Sequence, residues 1–392
     1  MAVVLGLSPV ACFFTERATT PVLLLLAVLV LALAWRRGFR RLAATPLAWG
    51  LLAAAVAWAG LSTLWSLDTG WALGGTAKMA GNLGAGALVL AGVPLLTGAE
   101  RRLAVGGLMA GAALALALMA VEVVFGGPIT IGLMGIPYRG EIAGLFWLNQ
   151  PMGFLLLLAW PIALALWIGG REAIAVLTLI AAGVLTWALT YRTGAMAFVI
   201  GLAAAPLAVL SRRYTGPIMA GAVALVVLVA PVLPLTVLAP ARIIDGAWPS
   251  GALQHRLYIW EFAAHRIAEK PLLGWGMNAA RIIPGGDTVV SNPAVPFNGT
   301  LMPLHPHNAA LQVWLELGLP GALILAALAA LAVLAAARAR AGRMAPALVT
   351  GQVVTALVMM NQSYGIWQSW WLAVLWLATL ATALVLRRDP AP

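Results

Sequence analysis

The sequence predicts an all-α polytopic membrane protein with about twelve transmembrane helices and one large loop on a single side of the membrane. Three observations predict it. Hydrophobic residues make up 63% of the 392 residues and charged residues only 9%, against about 25% charged in a soluble domain. The mean hydropathy is +0.98. Apolar runs recur along almost the whole chain, separated by short polar or basic clusters. This composition excludes a soluble enzyme and a disordered chain. The formal net charge is +11, yet the arginines sit in short clusters between apolar runs, not on one face or tail. Nucleic acid is therefore not an expected partner.

A spanning helix needs about 17–25 mostly apolar residues. The runs between polar punctuation give candidates at 2–14, 18–35, 46–64, 72–97, 101–125, 148–168, 172–190, 194–211, 215–239, 306–336, 344–364 and 367–386. The first is short enough to be an interfacial or partly inserted segment instead. The chain then divides into nine helices over 1–239, a loop over 240–304, and three helices over 305–392. Cys12 stands alone, so it offers neither an intrachain disulfide nor a cysteine metal site. The stretch 1–15 lacks a basic n-region, so no signal peptide is expected.

Basic residues set the orientation. With the N-terminus inside, every second loop holds arginines: Arg36, Arg37, Arg40 and Arg41; Arg101 and Arg102; Arg171; Arg212 and Arg213; Arg338, Arg340 and Arg343; and the tail Arg387 and Arg388. The alternation never breaks, as the positive-inside rule requires, and places both termini in the cytoplasm. Nine basic residues remain on the translocated side: Arg17, Lys78, Arg139, Arg192, Arg242, Arg256, Arg266, Lys270 and Arg281. Topology does not ask for them there.

Most of them fall in or near the 65-residue loop 240–304. Loops of that length are uncommon and usually functional. All four histidines, His255, His265, His305 and His307, lie in it or at its end. Within it, 254–269 reads as an amphipathic helix ended by Pro271, with Leu257, Trp260, Ala264 and Ile267 on one face. Such a helix would lie flat on the membrane surface. Residues 284–304, rich in Pro, Gly and Asn, read as irregular and mobile.

His307 reads as opening the tenth apolar run, just after Pro306, which suits a first helical turn. The positive helix end and nearby arginines disfavour imidazolium, so His307 is expected to be neutral and able to accept a proton. A histidine that merely caps the helix would look the same. Asn308, Gln312 and Glu316 follow at i, i+4 and i+8, which places three polar groups on one helix face. Such groups are costly in a membrane unless they face a cavity or partners. Glu316 lies roughly 13 Å along the helix from His307, too far to orient it directly. Interhelical hydrogen bonding or pairing with Lys78 is an equal reading.

Arg192, Arg256 and Arg139 all sit on the outer side, and guanidinium groups bind phosphate bidentately while staying charged. Snorkelling to the interface or headgroup binding is the competing reading of each. Metal chemistry finds no support: the twelve acids are scattered, and His305-x-His307 lacks a third ligand nearby. In the last outer turn, Trp367, Trp370 and Trp371 read first as an aromatic belt. They could also stack on sugar rings or line an acceptor-lipid groove.

Several of these residues fall in a recognisable pattern. His307-Asn308-Ala309-Ala310-Leu311-Gln312, running into Glu316-Leu317-Gly318-Leu319-Pro320-Gly321, resembles the signature of the O-antigen ligase/polymerase family. Arg256-Leu257-Tyr258-Ile259-Trp260 with Pro271-Leu272-Leu273-Gly274-Trp275-Gly276 resembles its loop motif. Tyr191-Arg192-Thr193-Gly194 is similar to its Ser-Arg-Gly element but departs in the residues flanking Arg192. Gly144-Leu145-Phe146 with Asn149-Gln150 is a looser match to its Gly-x-Phe and Asn-x-Asn region, which Gln150 leaves incomplete.

The resemblance covers roughly 139–321 and implies a polytopic C-type glycosyltransferase of the bacterial inner membrane, working on the periplasmic face. It implies transfer of O-antigen polysaccharide from undecaprenyl diphosphate to lipid A–core, with no cofactor, metal or nucleotide. It implies His307 as catalytic base, with Arg192 and Arg256 holding the donor diphosphate. Arg139 is grouped with them by position. Asn149, Gln150, Tyr258, His305, Asn308, Gln312, Glu316 and Trp371 are expected to touch substrate or line the cavity. The rival expectations are a polymerase of lipid-linked repeats and, further off, a transporter of lipid-linked glycan. A transporter predicts repeated halves and charges near mid-membrane, whereas here the unusual charges gather on one side.

Overall fold

A computed structural model describes residues 1–43, 45–135, 142–211 and 213–387. Every one of the twelve apolar runs forms a helix: α1 (Ala2–Phe14), α2 (Thr19–Arg37), α3 (Pro46–Leu61), α4 (Thr69–Ala91), α5 (Gly98–Phe125), α6 (Asn149–Ile168), α7 (Glu172–Ala188), α8 (Arg192–Leu210) and α9 (Thr215–Val229), then α12 (Ala309–Ala337), α13 (Ala345–Met360) and α14 (Ser369–Leu386). Between them lie the short α10 (Pro240–Ile243) and the loop helix α11 (Gly251–Glu269). The protein is a polytopic, almost wholly helical membrane protein. Eight helices among the described residues are long and apolar enough to cross a bilayer, and α1, α7, α9 and α13 are shorter.

Three boundaries differ from the sequence reading for local chemical reasons. The helix expected over 215–239 stops at Val229, because Pro231 and Pro234 lack the N–H groups that would continue it. Helix α12 begins at Ala309, not 306. His307 is left-handed (φ 52°), and Asn308 caps the helix by accepting the Leu311 N–H at 3.0 Å. The stretch expected to be irregular, 284–304, holds an antiparallel hairpin of β1 (Val289–Asn292) and β2 (Val295–Thr300), with Val289 opposite Thr300 and Val290 opposite Gly299.

The bundle packs through small residues. Gly351 of α13 lies against the Trp160 ring, and Gly201 of α8 lies against Thr355, so α8 and α13 approach closely. Helix α6 is buried along nearly its whole length. At the end away from the long loop, Arg37 makes a bidentate pair with Glu100 (2.7 Å to each oxygen) and donates to the Leu95 carbonyl at 2.6 Å.

Helix α11 does not spend its apolar face on the membrane surface. Leu257, Ile259, Trp260, Ala263 and Ile267 are buried with Trp275, Met302, Leu311 and Leu315. Trp260 donates its indole N–H to the Pro306 carbonyl at 2.9 Å. The apolar stripe is therefore an internal packing face against α12.

A break in α12 seats the loop. Gly318 adopts φ 61°, ψ −158°, and Pro320 has no N–H for the Glu316 carbonyl. Three successive carbonyls are freed and re-used. Leu315 O accepts from Trp275 N–H (2.8 Å), Glu316 O from Gly276 N–H (2.9 Å), and Leu317 O from the Trp58 indole (2.8 Å). In return Leu319 N–H donates to Pro271 O at 3.0 Å. Glycine is required on both sides: a Cβ at Gly318 would fall 2.3 Å from Leu272 O, and one at Gly274 would fall 2.6 Å from the Glu316 carbonyl carbon.

Gly318→Ala is therefore expected to destabilise the protein by about 2–4 kcal/mol, since it combines a left-handed backbone with a backbone clash. Thermal melting in detergent and limited proteolysis within 270–304 would show it. Gly74→Ala, where a Cβ meets open space in α4, should leave both readouts unchanged.

Candidate functional site

Chain segments from five places meet at the loop end: the turn before α4, the heads of α6 and α8, the segment 251–308, and the turn 361–368 between α13 and α14. Met277 N–H donates to Ser62 Oγ at 3.0 Å, and the Asn278 amide donates to Trp71 O at 2.8 Å. Tyr364 Oη donates to Asn149 O at 3.4 Å. Helices α6, α8, α12 and α14 all begin at this end, so their positive poles share it.

His307 stands at the centre. Its Nδ1 lies 2.7 Å from the Ser363 carbonyl. A carbonyl only accepts, so Nδ1 carries the proton and Nε2 keeps its lone pair. Its backbone N–H donates to His305 Nδ1 at 3.2 Å. Burial holds His307 below its ordinary value of 6.5; the bond to Ser363 opposes that shift, and the Arg256 and His255 charges reinforce it. The net shift favours the neutral imidazole, the direction expected from the sequence. Backbone strain marks the place: His307 and the β-branched Thr190, two residues before Arg192, both have positive φ (52° and 54°).

His305 is a neighbour with a different task. It is 6% exposed, and its ring lies against Gly365, where a Cβ would meet Cδ2 at 2.8 Å. Burial, with the His307 and Arg281 charges, pushes its pKa down to about 3. Its ring packs edge-on to His307, 4.3 Å between centroids.

Arg256, in the second turn of α11, is half-buried and makes no ion pair or hydrogen bond among the described residues. Burial pulls its pKa below the ordinary value, and it lies within electrostatic range of Tyr191, Tyr364 and His307. Arg192 is the first residue of α8, exposed and likewise unpaired among the described residues. Arg266 differs: it pairs with Glu269 at 2.8 Å and lies over the Phe262 ring. Arg139 lies outside the described residues.

The remaining expected residues separate into groups. Asn149 and Gln150 open α6, and each has a buried side-chain oxygen without a hydrogen-bond partner. Tyr258 and His255 hold the hairpin, both stacked on Phe297, with His255 Nε2 2.8 Å from Thr300 O. Asn308 is the α12 cap. Gln312 donates to Glu316 Oε1 (3.1 Å) and accepts from Ile366 N–H (3.0 Å). Glu316 is fully buried and also accepts from Asn278 N–H (2.8 Å) and the Trp367 indole (2.7 Å). It latches three segments together; Lys78 is exposed and not its partner. Trp371 is fully buried, 4.9 Å from the Tyr364 ring. It is core, not interfacial belt.

The sequence reading missed Tyr191, Ser363 and Tyr364. Tyr191 precedes Arg192 and Ser363-Tyr364 lies in the polar last turn, but nothing in their spacing links them. Among the described residues, no group of three or more His, Cys, Asp or Glu side chains is gathered to hold a metal ion.

Comparison with known proteins bears on this set. Residues 177–326 match the O-antigen ligase family. The matched span contains Arg192, Arg256, His307 and Glu316, and it bears out the resemblance drawn from the motifs. A protein of Rickettsia conorii, provisionally named a polysaccharide ligase, is 36% identical over 141 residues, which is 35% of this chain and 33% of the relative. Relatives from Rickettsia prowazekii and Rickettsia typhi with the same kind of name are each 34% identical over the same shares. The alignments thus span about a third of the length of these relatives.

In protein carrying 15N-histidine in detergent, the His305 ring signals should stay constant between pH 8 and pH 5, and His307 should titrate with a midpoint below 6.5. A midpoint at or above 6.5 for either ring would contradict the buried, neutral pair.

Proposed function

We propose that this chain is an inverting glycosyltransferase of the O-antigen ligase type. It transfers O-antigen polysaccharide from undecaprenyl diphosphate to lipid A–core on the periplasmic face of the bacterial inner membrane. The observation that carries this reading is the pairing of His307, with Nδ1 tied to Ser363 O and Nε2 free, with a half-buried arginine that has no acid partner. The family match over 177–326 supports it. The arginine clusters at the other end of the helices support a periplasmic loop end, with both termini cytoplasmic.

An unpaired guanidinium is costly to bury. At this position the cost is offset when an anion arrives, and a lipid diphosphate supplies one. In the step we propose, an acceptor hydroxyl gives its proton to His307 Nε2 while its oxygen attacks the anomeric carbon. The bond from that carbon to the diphosphate oxygen breaks on the opposite face, and the electron pair leaves with the diphosphate. Arg256 and Arg192 stabilise the charge that builds on it, so the chemistry needs no metal. One displacement inverts the anomeric centre.

Beneath the 361–368 turn, an apolar cavity of about 290 Å³ is lined by Trp58, Leu317, Ile366, Trp367, Leu372 and Trp376, among others. It suits the prenyl chain of the donor. Asn149 and Gln150, with unsatisfied oxygens at the head of α6, suit sugar hydroxyls.

The test is transfer in a purified system: detergent-solubilised protein, undecaprenyl-diphosphate glycan and lipid A–core, with EDTA present. Glycosylated lipid A–core is expected. His307→Ala should lower the rate by about 10²–10⁴-fold. Arg256→Lys and Arg192→Lys should also fail, because an ammonium does not reproduce the guanidinium fork. Near-normal transfer by His307→Ala would overturn the base assignment. Longer glycan on the undecaprenyl carrier, in place of product on lipid A–core, would make the protein a polymerase.

A further inference from the structure

Tyr191 stands where the resembling family's element has serine, and its phenol reaches what a serine cannot. It is buried. Its ring lies in the space left by Gly194, where a Cβ would fall 2.4 Å from the ring. The Tyr191 and Tyr364 hydroxyls are 2.9 Å apart, and Ser363 Oγ lies 3.4 Å from Tyr191 Oη.

The direction of this chain follows from its end. Asn149 O can only accept, so Tyr364 spends its one proton there, at 3.4 Å. Tyr191 must then donate to Tyr364, and Ser363 Oγ is left to donate to Tyr191. The 2.9 Å link is the strong one. The chain joins the heads of α6 and α8 to the 361–366 turn, and Ser363 is also the residue whose carbonyl holds His307 Nδ1. On the α12 side the same turn is tied by Asn361, which accepts from Ala310 N–H at 3.1 Å, and by Ile366 to Gln312. Without Tyr191, that second edge has no tie to α8 among the described hydrogen bonds.

We infer that Tyr191 is a positioning residue for His307: through Tyr364 and Ser363 it fixes the turn whose carbonyl sets the imidazole tautomer. It also couples the base to the helix head that carries Arg192. The inference rests on the proposed transferase reading for its kinetic consequence, but not for its structural one. The tie needs the full length of the phenol, because serine at 191 would fall short of the Tyr364 hydroxyl by most of a ring.

Tyr191→Phe keeps the ring and removes the hydroxyl, so it isolates the tie from packing. Transfer kcat should fall by about 10-fold with KM for the donor within about 2-fold. In 15N-histidine-labelled protein without substrate, the His307 signals should move from one tautomer, Nδ1–H, towards an average of the two. Tyr364→Phe should act alike, and the double variant should be no worse than the more severe single, since one chain is broken either way. Wild-type kcat with an unchanged tautomer would overturn the proposal. So would a rise in KM alone, which would place Tyr191 on substrate. If the wild-type protein shows no transfer at all, the functional reading fails, and the tautomer measurement still decides this one.

Discussion

The rest of the structure depends on a missing hydrogen bond. Pro320 has no N–H to give to Glu316 O, and Gly318 takes a conformation closed to other residues. A continuous helix would bury the Leu315, Glu316 and Leu317 carbonyls in its own ladder. The break hands them to Trp275, Gly276 and Trp58 instead. Irregular backbone at membrane depth is tolerated only where protein re-satisfies it, and here the long loop and the Trp58 indole of α3 do so. The loop is thereby seated on α12 by main-chain bonds, and α11, the next element upstream, is held with its apolar face on the same helix. That is what brings Arg256, 51 positions before His307 in the chain, into range of it.

The arginines divide by their partners. Arg37 and Arg266 are matched with Glu100 and Glu269 and serve the fold. Arg256 and Arg192 have no acid beside them among the described residues, and Arg256 is half-buried as well. An acid partner would stabilise Arg256 and cancel its pull on an anion. The groups in range of it are the Tyr191 and Tyr364 phenols and the His307 imidazole, none of them a carboxylate. Glu316, the buried acid nearest in the pattern, is turned to three donors of its own and serves as a latch. Strain at Thr190 and His307 sits beside the two arginines and the base, as expected where surrounding structure holds residues for function.

The helices were legible because they are apolar runs between polar punctuation, most of them long, and such runs have few alternatives in a membrane. Arg192, Arg256 and His307 were legible as charges and imidazoles on a side where topology does not call for them. The hairpin 289–300 was not, because Pro, Gly and Asn read as loop whether or not a strand pair forms. The burial of Trp371 was not either: a tryptophan near the interface looks alike from the sequence whether it faces lipid or the interior of the bundle. Tyr191 and Tyr364 are 173 positions apart, and only the packing of α8 on α13 brings them together. The start of α12 was misplaced because Pro306 suits a first turn, whereas the left-handed His307 hands that place to Asn308.

The most direct test of this account is amide hydrogen exchange at Trp275 and Gly276 in the detergent-solubilised protein. Both amides belong to a surface loop by sequence, yet both donate to carbonyls of the broken helix. Exchange as slow as in the bundle helices is expected, with the protection lost at both amides when Pro320 is replaced by alanine and the helix can close. Fast exchange at Trp275 and Gly276 in the unaltered protein would show that the loop is not seated on α12, and would remove the basis for placing Arg256 beside His307.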